Sequence, residues 1–530
     1  MAQRPLGAGI SHALKARGVD VIFGIPGVHN VEMYRGIEEA GITHVLARHE
    51  GGAAFMADGY ARASGKPGVC YTITGPGVTN ALTGLGQAYS DSVPVLAIAS
   101  CLDETAATRG QLHQMRDQRL SALSACDWAE EPRSAGEAYS LIDRAFAEFR
   151  TARSRPKYMQ VPIAMAGTMS PDAPTRAPHA SLPQVSHTDL TRAIGAILSA
   201  QKPLFIFGGG AVGGADVVGD LLRMTGAAAF TTYAGRGIVP DGAALSFGSM
   251  LARPGSAAVC ADADLIIAVG TELSEVDLWR DDLGHRCPMI RVDIDAEVLG
   301  GAKADDIPLL GDAGAFLRAM SIAIPARVDD REPCWDVAYV AAKRAEWRAE
   351  IDAERPGLLP VIEAVQAVMP DDATIYSDMT QFAYAAKEVW DMPGPGLWHH
   401  PCGFGTLGYA LPAAIGGKLA RGDAPVCAIA GDYGFQYTVQ ELGTAVELGG
   451  SLPIILWDNG KLKEIEEAMV RSQIAPNAVV ARNPSFAVLA EAYGAGYVAP
   501  RSLADIGPAL TQAFAADQPV IVHLQSDVLI

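Results

Sequence analysis

Apolar residues in this chain gather into short continuous runs of four to seven, and the segments between them carry helical spacing. That alternation predicts buried parallel strands joined by helices rather than half-exposed antiparallel strands. The clearest case is 424–464. Two apolar runs, 426–430 and 453–457, flank a helix-patterned segment, and each is followed by an oxygen-bearing residue, Asp432 after the first and Asn459 after the second. Thr438-Val439-Gln440-Glu441 has the spacing of a capping box, and Gly449-Gly450 marks where the chain must leave the helix. Asp432 and Asn459 are therefore expected at neighbouring strand ends. That edge of an open parallel sheet is where ligands bind, and two hard oxygen donors fixed there suit Mg²⁺ held against a phosphorylated ligand. Gly431 and Gly434 would let backbone approach a phosphate, and the following helix would aim its positive end at it.

The N-terminal third repeats the arrangement. A helical pattern over 7–17 precedes a short strand at 20–23 ending in Gly24-Ile25-Pro26-Gly27, and a second strand at 43–47 delivers Arg48-His49-Glu50 to the same edge. Glu50 opens a run of small residues, Gly51-Gly52-Ala53-Ala54, predicted to be a helix packed closely on a neighbour. A glutamate in that place is either a functional carboxylate or one that stabilises a helix start. The run 68–73 leads into Thr74-Gly75-Pro76-Gly77-Val78-Thr79-Asn80, and the run 93–100 is expected to end the sheet. Residues 101–130 read as a polar loop containing Leu112-His113-Gln114-Met115.

Pro-rich segments at 170–183 and 324–333 set off a middle region with runs at 204–208, 227–232, 265–270 and 290–294, another open α/β sheet. Gly208-Gly209-Gly210 does not make a GxGxxG fingerprint. Beyond Pro360, a strand at 374–377 ends at Asp378-Met379-Thr380-Gln381-Phe382, followed by Pro401-Cys402-Gly403-Phe404-Gly405-Thr406-Leu407-Gly408-Tyr409. The expected fold class is α/β, with three open parallel-sheet domains over 1–170, 184–325 and 355–530. A chain of 530 residues is too long for one core, and 56 Gly with 33 Pro fit its many strand–helix joints.

Net charge of −19 argues against nucleic acid or an anionic membrane as partner. No basic-plus-apolar leader and no membrane-length apolar run is read, so the expected location is cytoplasmic. The eight cysteines are scattered without CxxC spacing and read as buried thiols.

Gly431-Asp432-Tyr433 with Asp458-Asn459 resembles the diphosphate-binding motif of thiamine diphosphate enzymes, GDG then NN, with Tyr433 and Asp458 as departures. FGIPG, RHEGGAAFMADGYAR, TGPGVTN and AYSDSVPVLAI resemble the pyrimidine-binding domain of the acetolactate synthase and 2-oxoacid decarboxylase family. The match is dense over roughly 5–120 and 370–465. The resemblance implies a pyrimidine-binding, a central and a diphosphate-binding domain, with thiamine diphosphate and Mg²⁺ as cofactors. It implies Mg²⁺ ligation by Asp432, Asn459 and the carbonyl of Lys461, and contact of Glu50 with the aminopyrimidine N1′, which makes the cofactor's own imino group basic enough to take the C2 proton. Leu407 would prop the cofactor's bent shape, the Gly405 carbonyl would accept from its amine, and Gln381, Gly434 and Phe435 would support the diphosphate. Pro26, Thr74, Asn80, Phe382, Gly431, Tyr433 and Leu462 complete the expected cofactor contacts. FAD is not expected, because Gly270-Thr271-Glu272-Leu273-Ser274-Glu275 lacks the Arg-rich loop of flavin-binding relatives.

His113 and Gln114 fall in a family segment beside the reacting carbon, where a histidine could relay protons or merely be a loop residue. His29 is the next candidate, and His49 is expected to brace Glu50. The implied reaction is decarboxylation of a 2-oxo acid through a ylid and an enamine, whose protonation gives an aldehyde and whose attack on a second 2-oxo acid gives an acetohydroxy acid. Where acetolactate synthases carry Trp, this chain has Ala468 in Lys463-Glu464-Ile465-Glu466-Glu467-Ala468-Met469. Those carboxylates, Glu464 and Glu467 among them, either meet a cationic guanidino tail or form a solvated face. The pattern looks most like a 2-ketoarginine decarboxylase branch, with an acetolactate-synthase-type carboligase as the alternative. The chain ends soon after its last run, 520–524, so an acyl-CoA lyase with a C-terminal lid is not expected. The resemblance also implies a homodimer or homotetramer in which Glu50 of one subunit faces Asp432 of the other.

Overall fold

Most of the apolar runs fold as strands buried on both faces, while the edge strand Thr43–Leu46 is partly exposed. Val95–Cys101 is the clearest. Its odd-numbered residues Val95, Ala97 and Ala99 join one hydrophobic core, and Leu96 and Ile98 join another on the opposite face. Such a strand can sit only in the middle of a sheet covered by helices on both sides.

The computed structural model describes residues 3–103, 110–174, 180–324, 331–480 and 482–530. The chain divides into two compact units. The first comprises residues 1–180, 373–381 and 401–528, the second 181–372, 382–400 and 529–530. Parts of both Pro-rich segments, 175–179 and 325–330, lie outside the described residues.

The first unit holds two parallel sheets. One runs in the spatial order Thr43–Leu46, Val21–Gly24, Gly68–Thr72, Val95–Cys101, Lys157–Pro162, Trp128–Glu130. The run at 93–100 therefore does not end the sheet. Two strands follow it, and one, Trp128–Glu130, arises inside the segment read as polar loop, which also contains the helix Gln118–Leu123. Brevity hides Trp128–Glu130, since three residues are too few for a visible period, whereas Lys157–Pro162 lies in a stretch not read for strands. Within the first unit the second sheet runs Thr374–Ser377, Val426–Gly431, Leu452–Asp458, Pro519–Gln525, Gly496–Val498. In both sheets the last strand in sequence lies inside the one before it, a shared order that matches a duplicated fold.

One core joins the two sheets. At its centre the small-residue helix Glu50–Ser64 lies against the helix Ala410–Arg421. A Cβ on Gly416 would fall 1.9 Å from the Met56 carbonyl oxygen, and one on Gly59 2.0 Å from that of Ala413. Backbone therefore meets backbone, which is the close packing the small residues predicted.

The second unit carries the third parallel sheet, Ala228–Thr231, Pro203–Phe207, Leu265–Val269, Met289–Asp293, Ile307–Leu310. Its glycine cluster has a packing reason: a Cβ on Gly208 would lie 2.3 Å from the Gly270 carbonyl oxygen. Among the described residues no helix is long and apolar enough to cross a membrane.

Candidate active site

The strand Val426–Gly431 pairs in parallel with Leu452–Asp458, with Gly431 opposite Trp457, so Asp432 and Asn459 do emerge at adjacent strand ends. Between the strands the chain forms two helices, Asp432–Tyr437 and Glu441–Leu448, not one. The predicted capping box is not made. Thr438 donates its hydroxyl to the Gly408 carbonyl at 2.8 Å, and Glu441 is drawn away because its carboxylate accepts from the backbone N–H of Arg48 at 3.1 Å, from the N–H of His49 and from the Thr444 hydroxyl. Tertiary partners have outcompeted the local cap. Gly449 and Gly450 end the helix with positive φ, as expected.

Asp432 is 4% exposed, and burial pushes its carboxyl above the usual range. The Asn483 amide donates to it at 2.7 Å, and the N–H groups of Tyr433 and Asn459 also favour the charged form. Asn483 donates to Asp458 as well, at 2.9 Å. Burial pushes the Asp458 carboxyl up too, but His523 at 2.9 Å, the Gly460 N–H and Asn483 outweigh it and hold this group below the usual range. His523 in turn meets the Tyr497 hydroxyl at 2.8 Å. The departure from Asn to Asp at position 458 is thus matched by a partner set that keeps this carboxylate charged. Asn459 donates to Gln381 at 2.9 Å, and its side-chain oxygen accepts from the Lys461 N–H at 3.2 Å.

Gly434 has a packing reason as well. A Cβ there would sit 2.7 Å from the Asp378 carboxylate. Asp378 is fully buried, accepts from the N–H groups of Met379, Gly408 and Tyr409, and is pushed by burial up to about 6. It holds the end of the 401–409 segment, on which Gly405 has φ +65° and Leu407 is half-buried close to Gly434. Tyr433 is half-buried with its ring near that of Tyr437, and Phe382 is fully buried and falls in the second unit.

At the other sheet, Glu50 begins its helix and is 8% exposed, accepting from the Asn80 amide at 2.9 Å. The His49 ring makes its hydrogen bond elsewhere, capping the helix by accepting from the Gly51 N–H at 3.0 Å. Thr74 is buried and bonded to the Ser100 hydroxyl at 2.8 Å, and Pro26 is exposed at its turn. His29 and His113 come together, Nδ1 to Nδ1 at 3.3 Å, although 84 residues separate them. Burial, then the neighbouring His113, pulls His29 below the usual imidazole value. His113 sits at φ +63°, a strained backbone for a residue with a side chain, and its carbonyl packs on Gly75. Gln114 accepts from the Gln111 N–H at 2.9 Å, closing that turn.

The helix Lys463–Arg471 begins after Leu462, whose N–H donates to the Val479 carbonyl at 2.8 Å. Glu466 pairs with Lys461 and Lys463, both at 3.0 Å, and Glu467 lies 3.6 Å from Lys463. Glu464 is half-buried in the first turn.

Sequence reasoning missed Asn483, Glu441 and Gln118. Gln118 accepts from the Gly75 N–H at 2.8 Å and donates to the Ser100 carbonyl at 2.9 Å, fixing the glycine turn next to Glu50. Asn483 and Gln118 sit in no motif, and Glu441 reads only as half of a capping box, so only folding brings them to the site.

A turn of glycines beside a buried glutamate on one sheet, and paired oxygen donors at the strand ends of a second, define a two-sheet cofactor enzyme. The chain matches the N-terminal binding domain of thiamine pyrophosphate enzymes over residues 4–120, the central domain over 190–320 and the C-terminal binding domain over 378–524. It belongs to the thiamine pyrophosphate enzymes and uses thiamine diphosphate. It is 39% identical to a probable 2-ketoarginine decarboxylase of Pseudomonas aeruginosa over 99% of this chain and 94% of that one. It is 30% identical to the large subunit of acetolactate synthase isozyme 2 of Escherichia coli K12, over 98% of this chain and 95% of that one. An acetolactate synthase of Arthrospira platensis is 30% identical over 91% and 87%.

Proposed function

We propose that this enzyme uses thiamine diphosphate and Mg²⁺ to decarboxylate a 2-oxo acid carrying a guanidino tail, releasing an aldehyde. The observation that carries the cofactor arrangement is the placement of buried Asp432 and half-buried Asn459 at adjacent ends of hydrogen-bonded strands. The donor set fits a hard divalent cation: one carboxylate whose burial calls for a counter-charge, and neutral oxygens from Asn459 and the Lys461 carbonyl. Thiamine diphosphate, when bound, supplies the thiazolium that accepts the electron pair left as CO₂ departs.

The protein's share is positioning and proton transfer. Glu50 holds a proton for the aminopyrimidine nitrogen, and Asn80 fixes the carboxylate that does so. Leu407 and the Gly405 carbonyl would hold the cofactor between the two sheets' edges. His29 and His113, in contact at the mouth of the glycine turn, deliver a proton to the decarboxylated product, with Gln114 bracing their loop. Glu464, assisted by Glu467, receives the guanidinium. The 39% full-length identity to a protein named as a 2-ketoarginine decarboxylase, against 30% to acetolactate synthases, supports this assignment over carboligation.

We assign a homodimer or homotetramer in which Glu50 and Asp432 of one site come from different subunits. Exposed Phe404, Tyr437, Val470 and Val480, from elements that also carry site residues, support a partner surface there. Sedimentation as a monomer under assay conditions would refute it.

The deciding experiment is a CO₂-release screen over 2-oxo acids with and without a guanidino group, products identified by mass spectrometry. The expected result is the guanidino aldehyde. Condensation of pyruvate to acetolactate would overturn decarboxylation, and indifference to the tail would discard the role of Glu464. Calorimetry tests the metal site: Asp432→Ala should bind no thiamine diphosphate with Mg²⁺, and wild-type affinity in that variant would refute the assignment.

A further inference from the structure

The segment 401–409 is tied down at both ends by acidic side chains from two different sheets. At its start, Asp91, which follows the helix Pro76–Ser90, accepts from the Gly403 N–H at 2.9 Å and the Cys402 N–H at 3.2 Å. At its end, Asp378 accepts from the Gly408 N–H at 2.8 Å, and Thr438 donates to the Gly408 carbonyl. A third tie closes a ring. The Tyr409 hydroxyl donates to Asp58 at 2.7 Å, Arg62 bonds Asp58 at 2.7 Å, and the same Arg62 bonds Asp91 at 2.9 Å. Asp58 and Arg62 lie on the helix that begins at Glu50.

These polar ties border the apolar core, which Tyr409 also joins. Burying two carboxylates and a guanidinium is costly unless they are fully paired, and Asp91 shares its oxygens among Arg62, the Gln87 amide and backbone N–H groups of an irregular segment. The residues so fixed include Gly405, at positive φ, and Leu407.

We propose that Asp91, held by Arg62, is a positioning residue that fixes the 401–409 strap so that Gly405 and Leu407 meet the cofactor, and that it ties this strap to the helix carrying Glu50. The inference rests on the cofactor contacts assigned to Gly405 and Leu407. Cofactor binding therefore finds the strap already in its contacting shape, and the ordering entropy is not drawn from binding.

Two readouts test it on the full chain. The first is amide hydrogen exchange of the cofactor-free protein, where Asp91→Asn should speed exchange at Cys402 and Gly403 by roughly tenfold, the loss of one charge-assisted hydrogen bond. The second is the rate at which bound thiamine diphosphate exchanges its C2 proton for deuterium, together with its dissociation constant. Both should worsen by about tenfold in Asp91→Asn while Glu50 is intact. Thr438→Val, which releases the Gly408 end with a side chain of similar shape, should move the same readouts and serves if Asp91→Asn does not fold. Unchanged amide exchange in the folded variants overturns the tie. Faster amide exchange with unaltered C2 exchange and affinity overturns the positioning role, and if Leu407→Ala alters C2 exchange in the same series, only the role of Asp91 is lost. If wild type binds no thiamine diphosphate, the functional reading fails first and takes this role with it.

Discussion

Replacing Gly416 by Ala pits two effects of known sign against each other. In a helix interior Ala is favoured over Gly by about 1 kcal/mol, so an unhindered exchange stabilises. Here the new Cβ would lie 1.9 Å from the Met56 carbonyl oxygen, against 3.4 Å for ordinary contact, so the helices must part by about 1.5 Å or distort. The obstacle is backbone and cannot swing aside. Overpacking of this kind costs roughly 1–3 kcal/mol and here sits at or above the top of that range, leaving a net loss of about 2 kcal/mol after the helix gain. Gly136→Ala is the control: its helix is in the same unit, its Cβ meets nothing closer than 4.0 Å, and it should gain a few tenths to 1 kcal/mol. Urea denaturation of the cofactor-free protein reads both. A Gly416→Ala variant as stable as wild type would refute the backbone-contact argument, since no relaxation short of helix separation relieves it.

Three further outcomes follow from the site. Glu50→Gln should keep the contact to Asn80 and bind thiamine diphosphate, yet lose turnover by about 100-fold or more; an unchanged rate removes its acid–base role. Glu441→Ala leaves the Arg48 and His49 N–H groups without their carboxylate and should cost roughly 2 kcal/mol in chemical denaturation, with no change counting against the tie. The Asp378 carboxyl is raised by burial to about 6, so the native state holds its proton more tightly than the unfolded chain. Its contribution to stability is fully present below about pH 4 and lost as pH rises through about 6. Measured on the cofactor-free protein, the stability of wild type minus that of Asp378→Asn should fall by roughly 3 kcal/mol across that window, and a flat difference would show that the group titrates normally.

Alternation of apolar runs with helical spacing determined the α/β class, because strands buried on both faces must be apolar throughout. It placed Val426–Gly431 and Leu452–Asp458 to within a residue, and with them Asp432 and Asn459, since a strand end is a local property. It equally put Glu50 at the first position of a small-residue helix. What it could not supply were partners distant in the chain. Glu441 looked like half of a capping box and serves Arg48 and His49 instead; Asp378 looked like a strand-end residue and fills the space Gly434 leaves; His29 and His113 meet across 84 residues. Each outcome turned on which polar group won a buried carboxylate, amide or imidazole. That competition is decided by desolvation and geometry after the chain has packed, and local spacing does not encode it.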